Sequence, residues 1–533
     1  MRHRTRVISV VVMLAAALAL VPLATAEEKP QYGGVLTRFI YADPGRLDIH
    51  TETPFPVQIA TAGIFSGLLH HDPADPAKIT GDLAERWTGS ADGKTYTFFL
   101  RKDVKWHDGE PFTVADVKAT LDRLLHPDFR SPRCGAMLKP MVAGFNAVDR
   151  YTVEIRLNAP NSNFIPSIAS AWCRIVAKHI LEKHGDLSRP EAQIGTGPFR
   201  FKRYERGSVI EWEKNRDYFV PGVPYLDGVK HFILVSGPTQ LAAAKAGRLM
   251  LWEAWPPLLR TQVDELQRTR GTEIEVFTAP VNTVAMVQLN TQKPPFNNRD
   301  LRRAVYLGID RQEIITKAMD GSAMPCALLD PKVVGDFALP LEEIQKLPGC
   351  RQPKDQDIAE AKRLVEKHYP NGVDIEASIR SVTDYVDRAQ LVVSQLRRIG
   401  IRATLKTYES AAGYSIYGKG DFTLIATQDT GMVTNDPSDV FMLLFRTGAG
   451  RNYGKWSDRK VDDLVEQGIR EQNQDKRKQI YHELQRYLLT QDTPGVIVGW
   501  IEGAFFAEKR VRNYRPGPTV FDNNTFMKVW LAR

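Results

Sequence analysis

Residues 195–200, with the sequence GTGPFR, are the first segment whose residue types could do chemistry. They begin like the glycine-rich loop that holds the phosphates of a dinucleotide. Pro198 removes a backbone N–H that a phosphate would need, and the third glycine of that loop is missing. We therefore predict no nucleotide cofactor here. The two glycines instead favour a close crossing of two chain segments.

Metal ligands and catalytic nucleophiles are the next possibility. His482 and Glu483 begin like the helix of a zinc protease, but Arg486 stands where the second histidine is needed. The histidine pair 70–71 lies beside Asp72–Pro73, which favours a turn over a metal pair. There is no GxSxG elbow and no Walker A loop. We therefore predict no catalytic residue, no metal and no cofactor. The enzymatic alternative, a secreted hydrolase, would need a nucleophile and its base.

The elements that must position any site alternate between strand and helix patterns. Strand patterns occur at 96–100, 153–157, 374–379 and 401–406, and helix patterns at 113–125, 358–367 and 385–398. A long amphipathic region at 458–489 predicts two helices with a break near Asn473. This order predicts an α/β protein with a mixed sheet, and 533 residues are enough for two or three domains.

The first 26 residues have the pattern of a secretory signal peptide. Three arginines precede an apolar run at 7–20, and Ala24–Ala26 offers small residues for cleavage. The alternative is a membrane anchor, but a span needs about 20 apolar residues and Pro22 ends this run early. No cysteine stands at the cleavage position, so we expect no lipid anchor. We expect cleavage after Ala26 and a mature protein in the periplasm.

All four cysteines lie in the part of the chain that would be exported: Cys134, Cys173, Cys326 and Cys350. Four cysteines allow three pairings, and an oxidising compartment favours disulfides. The spacing favours the two local pairs, 134 with 173 and 326 with 350. The alternative is four buried free thiols.

The formal net charge of +8 is spread along the whole chain. Lysines and arginines alternate with acidic residues, which is typical of a solvated surface rather than of a nucleic-acid interface. We therefore expect no nucleic-acid partner.

A series of segments resembles the large solute-binding proteins of ABC importers, family 5, which includes dipeptide-, oligopeptide- and nickel-binding proteins. In the first half these are YGGVL at 32–36, DPGRLD at 43–48, IFSGLL at 64–69, LAERW at 83–87, DGKTYTF at 92–98, LRKDVKWHDG at 100–109, FTVADV at 112–117, GTGPF at 195–199 and PYLD at 224–227. In the second half they are Asn290, PPF at 294–296, LRRAV at 301–305, IDR at 309–311, LRRIGI at 396–401, NYGKW at 452–456 and VDDL at 461–464. Each match is weak alone, but their order covers nearly the whole mature chain.

The resemblance implies a two-lobed periplasmic-binding-protein (Venus-flytrap) fold of the large class. It implies lobe one at 27–280 with an extra subdomain near 72–190, lobe two at 281–499, and a return to lobe one at 500–533. The hinge crossings would lie near 279–280 and near Trp500.

The function that the resemblance implies is capture of a small solute between the lobes and its delivery to the permease subunits of an ABC importer. We expect a monomeric binding protein and no enzyme. A sensor or chaperone on the same fold is an alternative.

In the peptide-binding members, an acidic residue follows a tryptophan in lobe two, just ahead of an acid–proline pair, and holds the peptide's amine. The matching segment is 427–437, where Asp436–Pro437 fits the end and Thr427 is nearest the missing tryptophan. Counting back from the proline places Val433 at the acidic position, so Asp429 serves only if the loop carries an insertion. The alternative for Asp429 is a solvated loop residue. A pocket aspartate would require a cationic ligand group, and without one a neutral or anionic solute is favoured.

Flat apolar walls for a ligand could come from four aromatic residues, Tyr41, Trp252, Trp255 and Trp500, each of which could equally belong to the core. Together with Thr427 and Asp429 they are the predicted ligand-binding residues. A di- or oligopeptide is the default ligand. The alternative is a sugar, a metal chelate, an organic acid or an aromatic compound.

Overall fold

The computed structural model describes residues 28–52, 55–72, 78–253, 257–432, 434–491, 494–516 and 525–533. The predicted signal peptide 1–26, Val433 and Trp255 lie outside these ranges. Within them, no helix has both the length and the hydropathy needed to cross a membrane.

The strands of the described chain are numbered β1 to β19. Their bounds are β1 Val35–Ile40, β2 Leu69–His71, β3 Ile79–Gly81, β4 Ala84–Gly89, β5 Thr95–Leu100, β6 Val142–Asp149, β7 Thr152–Leu157, β8 Phe199–Glu205, β9 Val209–Lys214, β10 Gly228–Ile233, β11 Leu251–Trp252, β12 Ile274–Leu289, β13 Ala323–Pro325, β14 Val373–Arg380, β15 Ile401–Tyr408, β16 Leu424–Gly431, β17 Gly495–Glu508, β18 Val511–Arg512 and β19 Trp530–Leu531.

The helices are numbered α1 to α17 in the same way. Their bounds are α1 Phe55–Thr61, α2 Val114–Leu125, α3 Cys134–Leu138, α4 Phe164–Ala169, α5 Lys178–His184, α6 Gly237–Lys245, α7 Arg260–Arg270, α8 Arg299–Gly308, α9 Arg311–Ala318, α10 Pro331–Val334, α11 Leu341–Ile344, α12 Asp355–His368, α13 Thr383–Arg398, α14 Ser410–Lys419, α15 Ser438–Val440, α16 Arg459–Arg470 and α17 Gln474–Thr490. Two short 3₁₀ turns span Pro190–Ala192 and Gly335–Phe337, and a π-helical turn spans Phe441–Phe445.

Two four-stranded sheets occupy the N-terminal half. One has the order β1-β10-β9-β8, with β1 parallel to β10, and the other is the antiparallel sheet β4-β5-β7-β6. Helix α2 begins where the sequence predicts, because the Thr113 hydroxyl and the Asp116 carboxylate form a capping box. The second sheet and its helices place Phe98 and Trp106 in the interior, so both aromatic residues belong to the core.

The C-terminal half is built on a seven-stranded mixed sheet, with the order β11-β17-β12-β16-β14-β15 and β13 paired to β17. Strands β12 and β17 are long, at 16 and 14 residues, and they pair antiparallel. Their register is interrupted between Pro280 and Val284. Residues 274–280 pair with 502–508 on one side of this interruption, and residues 284–288 pair with 495–500 on the other.

The buried apolar residues form two large clusters. The N-terminal core is drawn mainly from residues 36–233, with further members from 507–529, and the C-terminal core is drawn from residues 243–506 together with Phe39. Strand β17 contributes to both cores, since Phe506 lies in the C-terminal one and Ala507 in the N-terminal one. The chain therefore has two hydrophobic interiors that share its longest strands.

The GTGPF segment is a close chain crossing, as its glycines predict. A Cβ on Gly195 would lie 1.9 Å from the Ile64 carbonyl oxygen, and one on Gly197 would lie 2.4 Å from that of Gly63. The His107 ring joins the same crossing: its Nδ1 accepts from the Gly195 N–H at 3.2 Å, and its Nε2 lies 3.0 Å from the Gly197 carbonyl. His107 must therefore be neutral, because Nδ1 is an acceptor.

Both disulfides have the pairing that the spacing favours. Cys134 is bonded to Cys173, and Cys326 is bonded to Cys350. The first bond ties the start of α3 to the segment that follows α4, inside the N-terminal core.

We predict that His107 makes the protein acid-sensitive. Burial lowers the pKa of His107 to about 4, whereas an unfolded histidine has a pKa of about 6.5. Its contribution to stability is therefore complete above pH 6.5 and is lost as the pH falls towards 4, by about 3 kcal/mol. Urea unfolding between pH 8 and pH 4 should show a smaller loss for His107→Gln than for the wild type. His184→Gln, in the last turn of α5, is the control, and equal losses in all three proteins would contradict the prediction.

We predict that each disulfide contributes separately to stability. The two bonds close sequence separations of 39 and 24 residues. The chain-entropy model then gives losses of about 4 and about 3.5 kcal/mol when each pair is replaced by serine. Denaturant unfolding of the two double variants measures these losses. Non-reducing peptide mapping that linked Cys134 to Cys326 would contradict the pairing itself.

Candidate functional site

Three parallel strands of the seven-stranded sheet end at the same edge. Strand β14 is parallel to both β15 and β16, and these three strands end at Arg380, Tyr408 and Gly431. In α/β sheets, ligands bind in the crevice outside the carboxyl ends of parallel strands. This edge is therefore the candidate site.

Asp429, near the end of β16, is bound by an arginine of the same chain. Arg388 of α13 donates to both carboxylate oxygens, at 2.6 and 2.9 Å, and both side chains are almost fully buried. The Asp429 backbone N–H donates to the Tyr385 hydroxyl at 2.9 Å. The cation that a buried aspartate requires at this position is thus supplied by the protein itself.

The other acidic residue of the 427–437 segment is paired in the same way. Asp436 accepts both hydrogen bonds from one Arg477 nitrogen, at 2.6 and 2.8 Å, and also accepts from the Ser438 N–H. All of this lies in the interior, so the acid–proline pair holds the backbone in place. Thr427 is fully buried, two residues before Asp429 on the same strand.

A cluster of arginines and tyrosines surrounds Tyr414 of α14. The Arg380 guanidinium lies 4.0 Å from the Tyr414 ring centroid, and that of Arg451 lies 5.0 Å from it. Arg451 also donates to the Tyr453 hydroxyl at 2.6 Å. Burial alone would lower the pKa of Arg451, but Tyr453 and Tyr414 outweigh it and raise the pKa. Both guanidinium groups thus lie over the aromatic ring of Tyr414.

Arg133 belongs to the N-terminal half. It directly precedes Cys134 of the first disulfide, and its guanidinium lies 5.0 Å from the Trp172 ring centroid. Burial lowers the pKa of Arg133, and the positive charge of Arg451 lowers it further, while Asp439 and Tyr414 act in the opposite direction.

A contact joins the two halves near the Asp436–Arg477 pair, since Arg477 also donates to the Gly468 carbonyl at 2.9 Å. The Ser162 N–H donates to the Ile469 carbonyl at 2.8 Å, and the Ser162 hydroxyl lies 3.5 Å from the Gly468 carbonyl. Ser162 lies between β7 and α4, and its partners lie at the end of α16. The two halves are therefore in contact beside the candidate site.

Three of the four predicted aromatic walls pack within the described interior. Trp252 packs edge-on against Phe39 at 4.7 Å, and the Trp500 indole N–H donates to the Ala327 carbonyl at 3.0 Å; both tryptophans are almost fully buried. Tyr41 packs against both cores, and burial raises its pKa to about 12. Roles of these three residues in ligand binding stay predictions. Trp255 lies outside the described chain.

The sequence did not predict the cationic residues described above. They are Arg133, Arg380, Arg388 and Arg451. A local signal existed for two of them: Arg380 directly follows a predicted strand, and Arg388 lies on the helix pattern that comes next. Arg133 and Arg451 carry no such signal, because their proximity depends on the tertiary fold.

A wide groove lies on the β1-β10-β9-β8 sheet, and its charges are arranged differently from those of the candidate site. It is lined by charges of both signs that pair with one another. Glu211, for example, accepts from Arg203 at 3.0 Å, and this hydrogen bond is the main cause that lowers the pKa of Glu211 to about 2. This face is a solvated surface. Among the described residues, no group of three or more His, Cys, Asp or Glu is placed to hold a metal ion.

Comparisons with known proteins agree with this architecture. The family described as bacterial extracellular solute-binding proteins, family 5 Middle, matches residues 78–452. The probable deoxycholate-binding periplasmic protein YgiS of Escherichia coli is 27% identical over 482 residues, covering 85% of each chain. Di/tripeptide-binding protein 1 of Pseudomonas aeruginosa is 28% identical over 487 residues, covering 86% of each chain.

A solved structure extends the likeness to nearly the whole fold. The ABC transporter-associated periplasmic binding protein DppA from Helicobacter pylori, in complex with the peptide STSA, is 25% identical with a TM-score of 0.77. The match covers 94% of this chain and 99% of that one. The protein therefore has the two-lobed solute-binding fold predicted from its sequence, and it belongs to family 5 of the bacterial extracellular solute-binding proteins.

Proposed function

We propose that this protein is the periplasmic substrate-binding component of an ABC importer, which closes on one small solute and delivers it to the permease. The observation that carries the proposal is the contact between the two halves beside the carboxyl ends of the parallel strands, where the Ser162 N–H of one half donates to the Ile469 carbonyl of the other. Side chains from both halves could then contact one ligand at the same time.

The proposed lobes are 27–280 with 500–533, including the extra subdomain near 72–190, and 281–499. Support comes from β12 and β17, whose register is interrupted between Pro280 and Val284. Asn282, inside the interruption, has a positive φ of 46°, which ordinary strand residues do not adopt. Two strands that pass side by side from one lobe to the other form a hinge. Closure about it would expel water and strengthen polar contacts to the ligand.

The export route and the mode of action belong to the same proposal. Cleavage after Ala26 would release a monomeric periplasmic protein without a lipid anchor. The protein would bind its solute without changing it chemically, and no nucleic acid would take part. The periplasmic relatives support this location.

A di- or oligopeptide remains the default ligand, supported by the di/tripeptide-binding relative and by the peptide-bound structural neighbour. The deoxycholate-binding relative supports a non-peptide alternative. In either case Asp429 is a poor anchor for a ligand amine, because Arg388 already occupies both of its carboxylate oxygens.

We predict that the main effect of Asp429→Asn is a loss of protein stability rather than a loss of ligand binding. It would leave the buried Arg388 guanidinium without its carboxylate, which costs about 3–5 kcal/mol in unfolding free energy. The double variant Asp429→Asn, Arg388→Met should recover part of this loss, because no uncompensated charge remains. Denaturant unfolding of the four proteins in a double-mutant cycle measures the coupling. Additive losses would show that the pair is not coupled, and Asp429 would again be available to a ligand.

We predict that a bound solute stabilises the protein and makes it more compact. At a hundredfold excess over its Kd, a solute should raise the unfolding free energy by about 2.7 kcal/mol. The screen would cover di- and tripeptides and deoxycholate by thermal shift, followed by small-angle scattering of each binder. The radius of gyration should fall, and mass spectrometry should recover the solute unchanged. Turnover of the solute, or binding without compaction, would contradict the proposed function.

A further inference from the structure

The two disulfides lie in different surroundings. Cys134 is fully buried and Cys173 nearly so, and both belong to the N-terminal core. Cys350, by contrast, is half-buried, and it lines a surface pocket of about 310 Å³ together with Cys326. Pockets that hold small molecules begin at about 300 Å³. A small solute therefore has a path to the Cys326–Cys350 bond, whereas the first bond lies under core side chains.

The wall of this pocket suits a small polar solute. It is lined by three exposed glutamines, Gln312, Gln345 and Gln352, and by the buried Arg311. Amide side chains can both donate and accept hydrogen bonds. A nearby positive charge favours a thiolate over a thiol, and the thiolate is the form that attacks a disulfide. The pocket thus fits a small thiol that arrives as its thiolate.

The residues beside the two cysteines are held by hydrogen bonds that do not depend on the disulfide. Next to Cys326, strand β13 pairs with β17, and the Ala327 carbonyl accepts from the Trp500 indole N–H at 3.0 Å. Next to Cys350, the Gly349 N–H donates to Asp357 at 2.7 Å, and the Gly349 carbonyl accepts from the Lys354 ammonium at 3.0 Å. We therefore expect both segments to stay in place when the bond opens, so that it can open and re-form without unfolding.

Two further features favour the open form. Cys326 has a positive φ of 68°, a backbone conformation that residues other than glycine rarely adopt. Opening the bond frees this residue to relax. The Tyr306 hydroxyl lies 3.7 Å from the Cys350 sulfur and can donate a hydrogen bond to a thiolate there. Disulfides that are strained or exposed are the ones that exchange readily with external thiols.

We propose that Cys326–Cys350 is a thiol-exchange site for low-molecular-weight thiols. The incoming thiolate attacks the sulfur of Cys350, the more exposed cysteine. The S–S bond breaks, and Cys326 leaves as a thiolate that takes a proton from water. The product is a mixed disulfide between the small thiol and Cys350. A second small thiol then displaces the first, so the protein bond is reduced to two thiols while two small thiols are oxidised to one disulfide.

The test treats the folded, oxidised protein with millimolar reduced glutathione. Free thiols are alkylated with iodoacetamide at timed intervals, and the peptides are mapped by mass spectrometry. The Cys326–Cys350 bond should open about tenfold or more faster than Cys134–Cys173, with a glutathione adduct on Cys350. In denaturant the two bonds should open at similar rates, because the pocket is gone. Similar rates in the folded protein, or no adduct on Cys350, would overturn the proposal.

A variant that fills the pocket tests the route. Gln345→Trp should slow opening of the Cys326–Cys350 bond about fivefold in the folded protein, because exchange depends on access to the sulfur. Gln267→Trp is the matched control, since Gln267 is exposed on α7 in the N-terminal half of the chain, and it should leave the rate unchanged. Both variants should react like the wild type in denaturant. An unchanged rate in folded Gln345→Trp would show that the thiol does not enter through this pocket.

The last measurement asks whether the bond opens without unfolding. After exchange, amide hydrogen exchange should rise in β13, at 323–325, and stay unchanged in β5 and β7 of the N-terminal half. Faster exchange throughout the chain would show that opening requires unfolding, and it would overturn the proposal. These experiments follow the disulfide itself and need no solute, so their outcome is independent of the proposed transport function.

Discussion

Strands β12 and β17 are the constraint on which the rest of the structure depends. They are the longest strands of the described chain, and they pair with each other across both halves of the seven-stranded sheet. A continuous ladder of this length would make the halves one rigid body. The register is interrupted between Pro280 and Val284 and shifts again between Ala285 and Met286, and hydrogen-bonded segments flank this short stretch on both sides, so we expect any relative motion of the halves there. The same place is bonded to the candidate site: the Asn282 side chain donates to the Thr434 carbonyl at 3.0 Å, and the Asn282 carbonyl accepts from Met432.

These hydrogen bonds connect the proposed hinge directly to the candidate site. Met432 and Thr434 belong to the loop that follows β16, the strand that carries Asp429. A rotation about the proposed hinge would therefore leave this loop fixed to its pivot while the N-terminal half moves. The internal ion pairs of Asp429 and Asp436 hold the loop side together. On the N-terminal half, the Cys134–Cys173 bond fixes the segments that adjoin it. We therefore expect both faces of the proposed cleft to be stiff, which favours selection of one ligand shape and charge.

Local features of the fold could be predicted from the sequence, because their causes are local. Thr113 and Asp116 fixed the start of α2, and Asn473, as the N-cap of α17, fixed the break in the long amphipathic region. The glycines at 195 and 197 predicted a close crossing, although its partner at Ile64 lies far away in the sequence. Strand β12 was not predicted, because its second half is buried on both faces and shows no alternation. At the site, a ligand-binding role of the segment 427–437 stays a prediction, and the pairing of Asp429 with Arg388 could not be predicted, because it depends on how α13 packs on β16. No sequence pattern predicts that packing.

Native mass spectrometry of the protein, released from its host's periplasm without denaturation or dialysis, tests most directly whether it holds a solute between its lobes. We predict one small molecule per chain, released chemically unchanged when the protein is denatured. A wholly ligand-free protein after such gentle release, or a molecule recovered in altered form, would contradict a binding protein that closes on its solute.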